Sequence, residues 1–164
     1  MWPDAAARDK LYRAAQVLHR ECGGRIVHRD NLHLTLVFLG SVAREKLPQL
    51  EHIARQQHGA AFDLAFGATG YWRHNRIVWA APQATPELLR DLVAALEVSL
   101  EPAGFKFDRR PYVPHMTLIR DARMPAILPR LAFAWPVADF ALVESARGAK
   151  GPEYRVLARH ALAH

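Results

Sequence analysis

Leu11, Ala15, Leu18 and Cys22 recur at helical spacing between a capping residue, Asp4, and a Gly23-Gly24 stop, which predicts a helix over residues 4–22. Residues 32–38 alternate instead, with apolar and β-branched types, the pattern of a strand. Leu47, Leu50, Ile53 and Ala54 share one face of a predicted helix over 43–57, where Pro48 is tolerated near the start. Strands are predicted over 61–67 and 76–81. Thr85 as cap and Pro86 as first helical residue open another helix that turns Leu89, Leu92, Val93 and Leu96 inward. A strand over 112–119 starts among Pro111 and Pro114, a loop holds Pro125 and Pro129, and strands over 137–144 and 154–160 complete the chain.

The pattern repeats. His33-Leu34-Thr35-Leu36 returns 82 residues later as His115-Met116-Thr117-Leu118, and the same offset carries the first helix onto the one that follows Pro86. The chain therefore reads as two diverged copies, roughly 1–75 and 76–164, of one unit. Two copies facing each other across a pseudo-twofold axis fit this long period better than a solenoid.

The repeated tetrapeptide carries chemistry. Residues i and i+2 of a strand point to one side about 6.6 Å apart. His33 with Thr35, and His115 with Thr117, would then face a common centre, while Leu34, Leu36, Met116 and Leu118 turn to the core. One imidazole can take a proton from an attacking water or hydroxyl, and the other can protonate a leaving oxygen. The two hydroxyls can donate to phosphate oxygens where charge builds. Imidazole suits this work because its pKa near 6.5 allows one neutral and one charged ring near neutral pH. Nine histidines and four threonines in 164 residues would place a Thr two positions after a His by chance about 0.2 times; it happens twice, with the same apolar alternation.

Composition narrows the partner. The formal charge is +6, and only four of the 22 basic residues are Lys. Arginine's planar fork matches phosphate oxygens, although a solvated basic face gives the same count. The single cysteine, Cys22, excludes an internal disulfide and falls on the apolar stripe of the first helix, a core position. No apolar run is long enough to cross a bilayer, and Met1-Trp2-Pro3-Asp4 lacks a signal-peptide pattern, so a cytoplasmic protein off the membrane is expected. No spacing matches a metal-ligand set, and Lys150-Gly151 lacks the glycine-rich lead-in of a phosphate loop, so neither metal nor cofactor is expected. Arg110 and Arg120 flank the second motif. Arg120 has the wrong parity to join His115 unless the strand bends near Ile119. Tyr112 can stack on a base or pack at the strand's start, and Trp72, Arg73, His74 and Arg76 form a basic, aromatic loop that can hold an RNA end or be a solvated turn. His28, His160 and His164 have no partner pattern.

The two H-x-T-x motifs resemble those of the two-histidine phosphoesterase superfamily. Asn31-Leu32-His33-Leu34-Thr35-Leu36 with Phe38-Leu39-Gly40, and Arg110-Pro111-Tyr112-x-Pro114-His115-Met116-Thr117-Leu118 with Arg120, are similar to signatures of the bacterial and archaeal RNA 2′,3′-cyclic phosphodiesterases, also called 2′-5′ RNA ligases. Asp139-Phe140-x-Leu142-Val143-Glu144-Ser145 and Tyr154-x-Val156-Leu157 extend the likeness over nearly the whole chain. The resemblance implies a bilobal α+β fold in which two pseudo-twofold-related antiparallel sheets line a cleft with helices outside. It implies opening of a 2′,3′-cyclic phosphate on an RNA end, such as a tRNA half, to a 2′-phosphate. His33 would be donor and His115 acceptor, with Thr35, Thr117 and Arg120 on the phosphate and Arg110 and Tyr112 as possible RNA contacts. A slow 2′-5′ joining reaction goes with it; for the chain itself a monomer is expected. The likeness departs at the N-terminus, where similar proteins begin with a short strand ahead of Trp2-Pro3; without it a neighbouring strand would carry an unpaired edge. Other readings keep the motifs but change the substrate, to 2′-5′-linked oligonucleotides or small cyclic nucleotides, or drop catalysis for RNA binding through a basic cleft.

Overall fold

The computed structural model describes residues 1–148 and 151–163; Lys150 and His164 lie outside them. Helix α1 (Ala5–Cys22) begins where the Asp4 carboxylate accepts the Ala7 N–H at 2.7 Å, and ends at Gly23, whose φ of 61° lets its N–H reach the His19 carbonyl. The expected stripe of Leu11, Ala15, Leu18 and Cys22 is buried with Ala7. Helix α2 (Leu47–Arg55) has Pro48 in its first turn and follows a short 3-10 turn over 44–46. Helix α3 (Glu87–Leu100) buries Leu89, Leu92, Val93, Leu96 and Leu100. Its start differs from expectation: Pro86 is the cap residue and the Thr85 side chain caps nothing, while the Thr85 carbonyl accepts from Arg90.

A five-stranded antiparallel sheet has the order β1 (Arg25–Ile26), β4 (Met116–Arg120), β3 (Ile77–Pro82), β2 (Phe62–Trp72), β5 (Phe133–Val137). Strands β6 (Asp139–Gly148) and β7 (Gly151–Ala161) pair into a second antiparallel sheet. The architecture is thus the expected α+β arrangement of two sheets with helices packed on them, although the sheets differ in size. The core runs between sheet and helices through Leu11, Leu64, Val78, Leu89, Met116 and Leu118, each fully enclosed. Each such side chain contributes about 1.5–3 kcal/mol by leaving water.

Three strand expectations are corrected. Residues 32–38 bend at Leu36 and join no ladder among the described residues. The backbone of Leu34 exchanges hydrogen bonds with that of Met1, at 2.9 and 2.7 Å, and the Asn31 side-chain amide donates to the Pro152 carbonyl. The alternation is nonetheless realised, with Leu32 and Leu34 buried and Thr35 exposed; period-two patterning specifies an extended backbone and its two faces, not a hydrogen-bonding partner. The strand expected over 112–119 begins only at Met116, because Pro114 has no N–H to give a ladder. Strand β5 falls in a proline-rich stretch read as loop. It sits at the sheet edge, where Pro136 is tolerated, and it buries Trp135 and Val137.

Candidate active site

Both histidines stand at the mouths of extended segments and are held alike. His33 Nδ1 lies 2.7 Å from the Asn31 carbonyl, and His115 Nδ1 lies 2.8 Å from the Val113 carbonyl, each two residues upstream. A carbonyl can only accept, so each Nδ1 is the protonated nitrogen and each Nε2 remains available for proton transfer. His33, Thr35, His115, Thr117 and Arg120 line one open cleft of about 1010 Å³ between the two sheets. Burial lowers the His33 pKa below its ordinary 6.5. The Asn31 carbonyl opposes the shift, and the Met1 amino group, Arg120 and His115 reinforce it.

Two aromatic residues that the sequence reading gave no role enclose His33. The Trp2 ring stacks on it with centroids 5.0 Å apart, and Tyr154 meets it edge-on at 4.7 Å. The Trp2 Nε1–H donates to the Asp30 carbonyl, which fixes the indole. Their sequence signal was only a place in the N-terminal Trp2-Pro3 segment and in the family-like tail Tyr154-x-Val156-Leu157; that they converge on one imidazole is a tertiary fact.

Arg120 reaches the cleft because of a β-bulge. On β4, Thr117 pairs with Trp79 and Ile119 with Val78, so two residues on one strand advance against one on the other. The bulge buries both Leu118 and Ile119 and turns Arg120 to the side of Thr117. This is the bend near Ile119 that its parity required. Its ladder neighbour Arg25 pairs with Asp121 at 2.7 Å, whereas Arg120 itself makes no ion pair among the described residues. The Thr35 and Thr117 hydroxyls likewise have no protein hydrogen-bond partner among the described residues.

The remaining candidates fall elsewhere. Arg110 is bound to Asp108 by a forked ion pair that holds the Asp108 carboxyl down at about 2, and it does not line the cleft. Tyr112 is half-buried and donates its hydroxyl to the Thr35 carbonyl at 3.1 Å; burial raises its pKa, so it stays a donor. Arg76 in the β2–β3 turn is tied to the Asp121 and Ala122 carbonyls, while Trp72 lies 4.5 Å from the His115 ring. Cys22 is buried, as expected of a core thiol. Among the described residues no group of three His, Cys, Asp or Glu side chains is placed to hold a metal ion, and no helix is long and apolar enough to cross a membrane.

A family model described as LigT like phosphoesterase matches residues 2–79 and again 80–154. The chain is 36% identical over 141 residues to the RNA 2′,3′-cyclic phosphodiesterase of Escherichia coli, covering 85% of this chain and 80% of that protein. It is 35% identical over 153 residues to the protein of the same name from Thermus thermophilus, covering 85% and 76%. Among solved structures it is similar to E. coli LigT complexed with 3′-AMP, with a TM-score of 0.91 and 31% identity over 100% of this chain and 95% of that one. The chain belongs to the LigT-like phosphoesterase family.

Proposed function

We propose that this enzyme hydrolyses 2′,3′-cyclic phosphates on RNA ends to 2′-phosphates, with His33 and His115 as a metal-independent acid–base pair. The observation that carries the reading is the matched tautomer of the two imidazoles, both giving Nδ1–H to a carbonyl and both keeping Nε2 for the cleft. Water attacks phosphorus and loses a proton to one Nε2. The O3′–P bond breaks, and the other imidazolium gives its proton to O3′. Thr35, Thr117 and Arg120 donate to the non-bridging oxygens, where charge builds. By the family resemblance His33 is the donor and His115 the acceptor. Because burial lowers the His33 pKa in the free protein, that assignment needs the bound phosphate's negative charge to favour the imidazolium of His33. Each half of the chain, about 1–75 and 76–164, supplies one histidine and one threonine. A 5′-hydroxyl in place of water would convert the same step into 2′-5′ joining.

The test is incubation of the purified protein, in EDTA, with a short RNA ending in a 2′,3′-cyclic phosphate. Conversion to a 2′-phosphate is expected, with a loss of about 10²–10⁴ in rate for His33→Ala and for His115→Ala. Strict dependence on an added divalent metal, or a 3′-phosphate product, would refute the mechanism.

A further inference from the structure

Asn31 closes the short 3-10 turn Arg29–Asn31, and each residue of that turn is tied to a different part of the chain. The Arg29 side chain donates to Asp9 of α1 at 2.6 Å, and the Asp30 carbonyl accepts from Trp2 Nε1 at 3.0 Å. Asn31 is held in three directions. Its N–H donates to the His28 carbonyl at 2.8 Å, its side-chain amide donates to the Pro152 carbonyl on β7 at 2.9 Å, and its own carbonyl accepts from His33 Nδ1 at 2.7 Å. Among the described residues, the amide makes the one hydrogen bond from residues 28–38 to the second sheet. Two residues further along β7, Tyr154 meets the His33 ring edge-on at 4.7 Å.

The second motif aims its carbonyl by other means. His115 Nδ1 donates to the carbonyl of Val113, whose side chain is aliphatic and exposed. Pro114 follows, and a proline confines the residue before it to extended backbone by steric clash. The direction of the Val113 carbonyl is thus set covalently. Asn31 is followed by Leu32, which imposes no such limit. The Leu32 N–H, at the other end of the same peptide group, reaches the Arg29 carbonyl only at 3.3 Å, a long bond that holds the peptide plane weakly. The Asn31 carbonyl therefore needs a hold from outside its own turn, and the amide bond to β7 supplies it.

We infer that Asn31 is a positioning residue for His33: its amide, fastened to the second sheet, aims the carbonyl that keeps a proton on Nδ1 and leaves Nε2 for the cleft. The inference rests on the function proposed above and names what holds one of its two imidazoles. The amide acts through its own backbone and through no contact with the reacting atoms. The second sheet lines the cleft with Ser145, Pro152 and Tyr154, and through Asn31 it also sets the tautomer of the first histidine. The second histidine is independent of it.

Asn31→Ala removes the amide and leaves the carbonyl in place. Asn31→Leu does the same while filling the space, which keeps the test readable should the smaller side chain loosen the turn. Nitrogen NMR of the imidazoles tells which ring nitrogen carries the proton, and His115 is an internal reference in the same sample. In the unaltered protein both neutral rings should carry Nδ1–H. In the two variants His33 should drift to the tautomer mixture of a free imidazole while His115 keeps Nδ1–H. On an RNA ending in a 2′,3′-cyclic phosphate, kcat should fall about 10- to 100-fold with KM little changed. A His33 that keeps its Nδ1–H signal in the variants overturns the inference, and so does a full kcat. Equal tautomer loss at both rings also overturns it, because that is general loosening rather than positioning. The NMR signature needs no substrate. Absent turnover by the unaltered protein, alongside a tautomer change confined to His33, would instead refute the reaction and keep the role of Asn31.

Discussion

The hydroxyl of Tyr112 donates to the backbone carbonyl of Thr35 at 3.1 Å, and so links the approach to the second histidine motif with the backbone of the first. The two residues are 77 apart in sequence. The bond spans the two halves that supply the imidazoles, so the relative placement of the two motifs depends on a contact neither motif contains.

Tyr112→Phe removes that donor and leaves the ring. A loss of about 1 kcal/mol is expected, which for a chain of this length is a fall of about 2–4 °C in Tm. A scan of the two proteins side by side checks it. A larger drop in kcat than in KM would show that the tether aligns the reacting groups rather than binding RNA.

His33 should titrate below 6.5 in the free protein, because burial disfavours its charged form. Proton NMR of the ring over pH 8 to 4 reads this directly. Adding a 2′-nucleotide should move the midpoint upward, as a neighbouring anion favours the imidazolium.

Stability should follow the same group. A histidine whose folded pKa is depressed stabilises the fold fully above its unfolded pKa and loses that contribution as pH falls through the folded value. His160, also shifted down by burial, has the same sign. Urea midpoints should therefore decline as pH falls below about 6.5, and His33→Gln should flatten part of the decline. A midpoint rising over that interval would contradict both shifts.

Gly24 sits under the cleft arginine. Its φ is 86°, and a Cβ would lie 2.5 Å from the Arg120 carbonyl oxygen. Gly24→Ala should cost about 2–4 kcal/mol, combining left-handed strain with a clash against backbone that cannot step aside. Gly40 has φ of 62° and nothing within 4 Å of its Cβ position. Gly40→Ala should therefore cost only the strain, about 1–2 kcal/mol. Denaturant unfolding of the pair isolates the steric part.

The helices were legible because their causes are local. Asp4, Pro48 and Gly23 punctuate the chain at the observed ends or first turns, and the buried stripes of α1 and α3 are those the spacing marked. The paired H-x-T motifs were legible too, since side-chain alternation is a property of extended backbone alone. Residues 32–38 show the limit of that rule: alternation set the faces of 32–35, but among the described residues they join no ladder, because strand pairing is decided by what lies alongside.

The rest of the site was decided in three dimensions. Arg120 enters the cleft through a bulge that shows only when β4 is laid against β3. Trp2 and Tyr154 close on His33 from opposite ends of the chain, and Arg110, adjacent to the motif in sequence, turns away to Asp108. Sequence singled out the residues proposed for the acid–base chemistry and which way each faces along its own segment. Tertiary structure decided which carbonyl fixes each tautomer, which arginine lines the cleft, and which aromatic surface lies next to the imidazoles. Those are relations between segments, and a one-dimensional period constrains only its own.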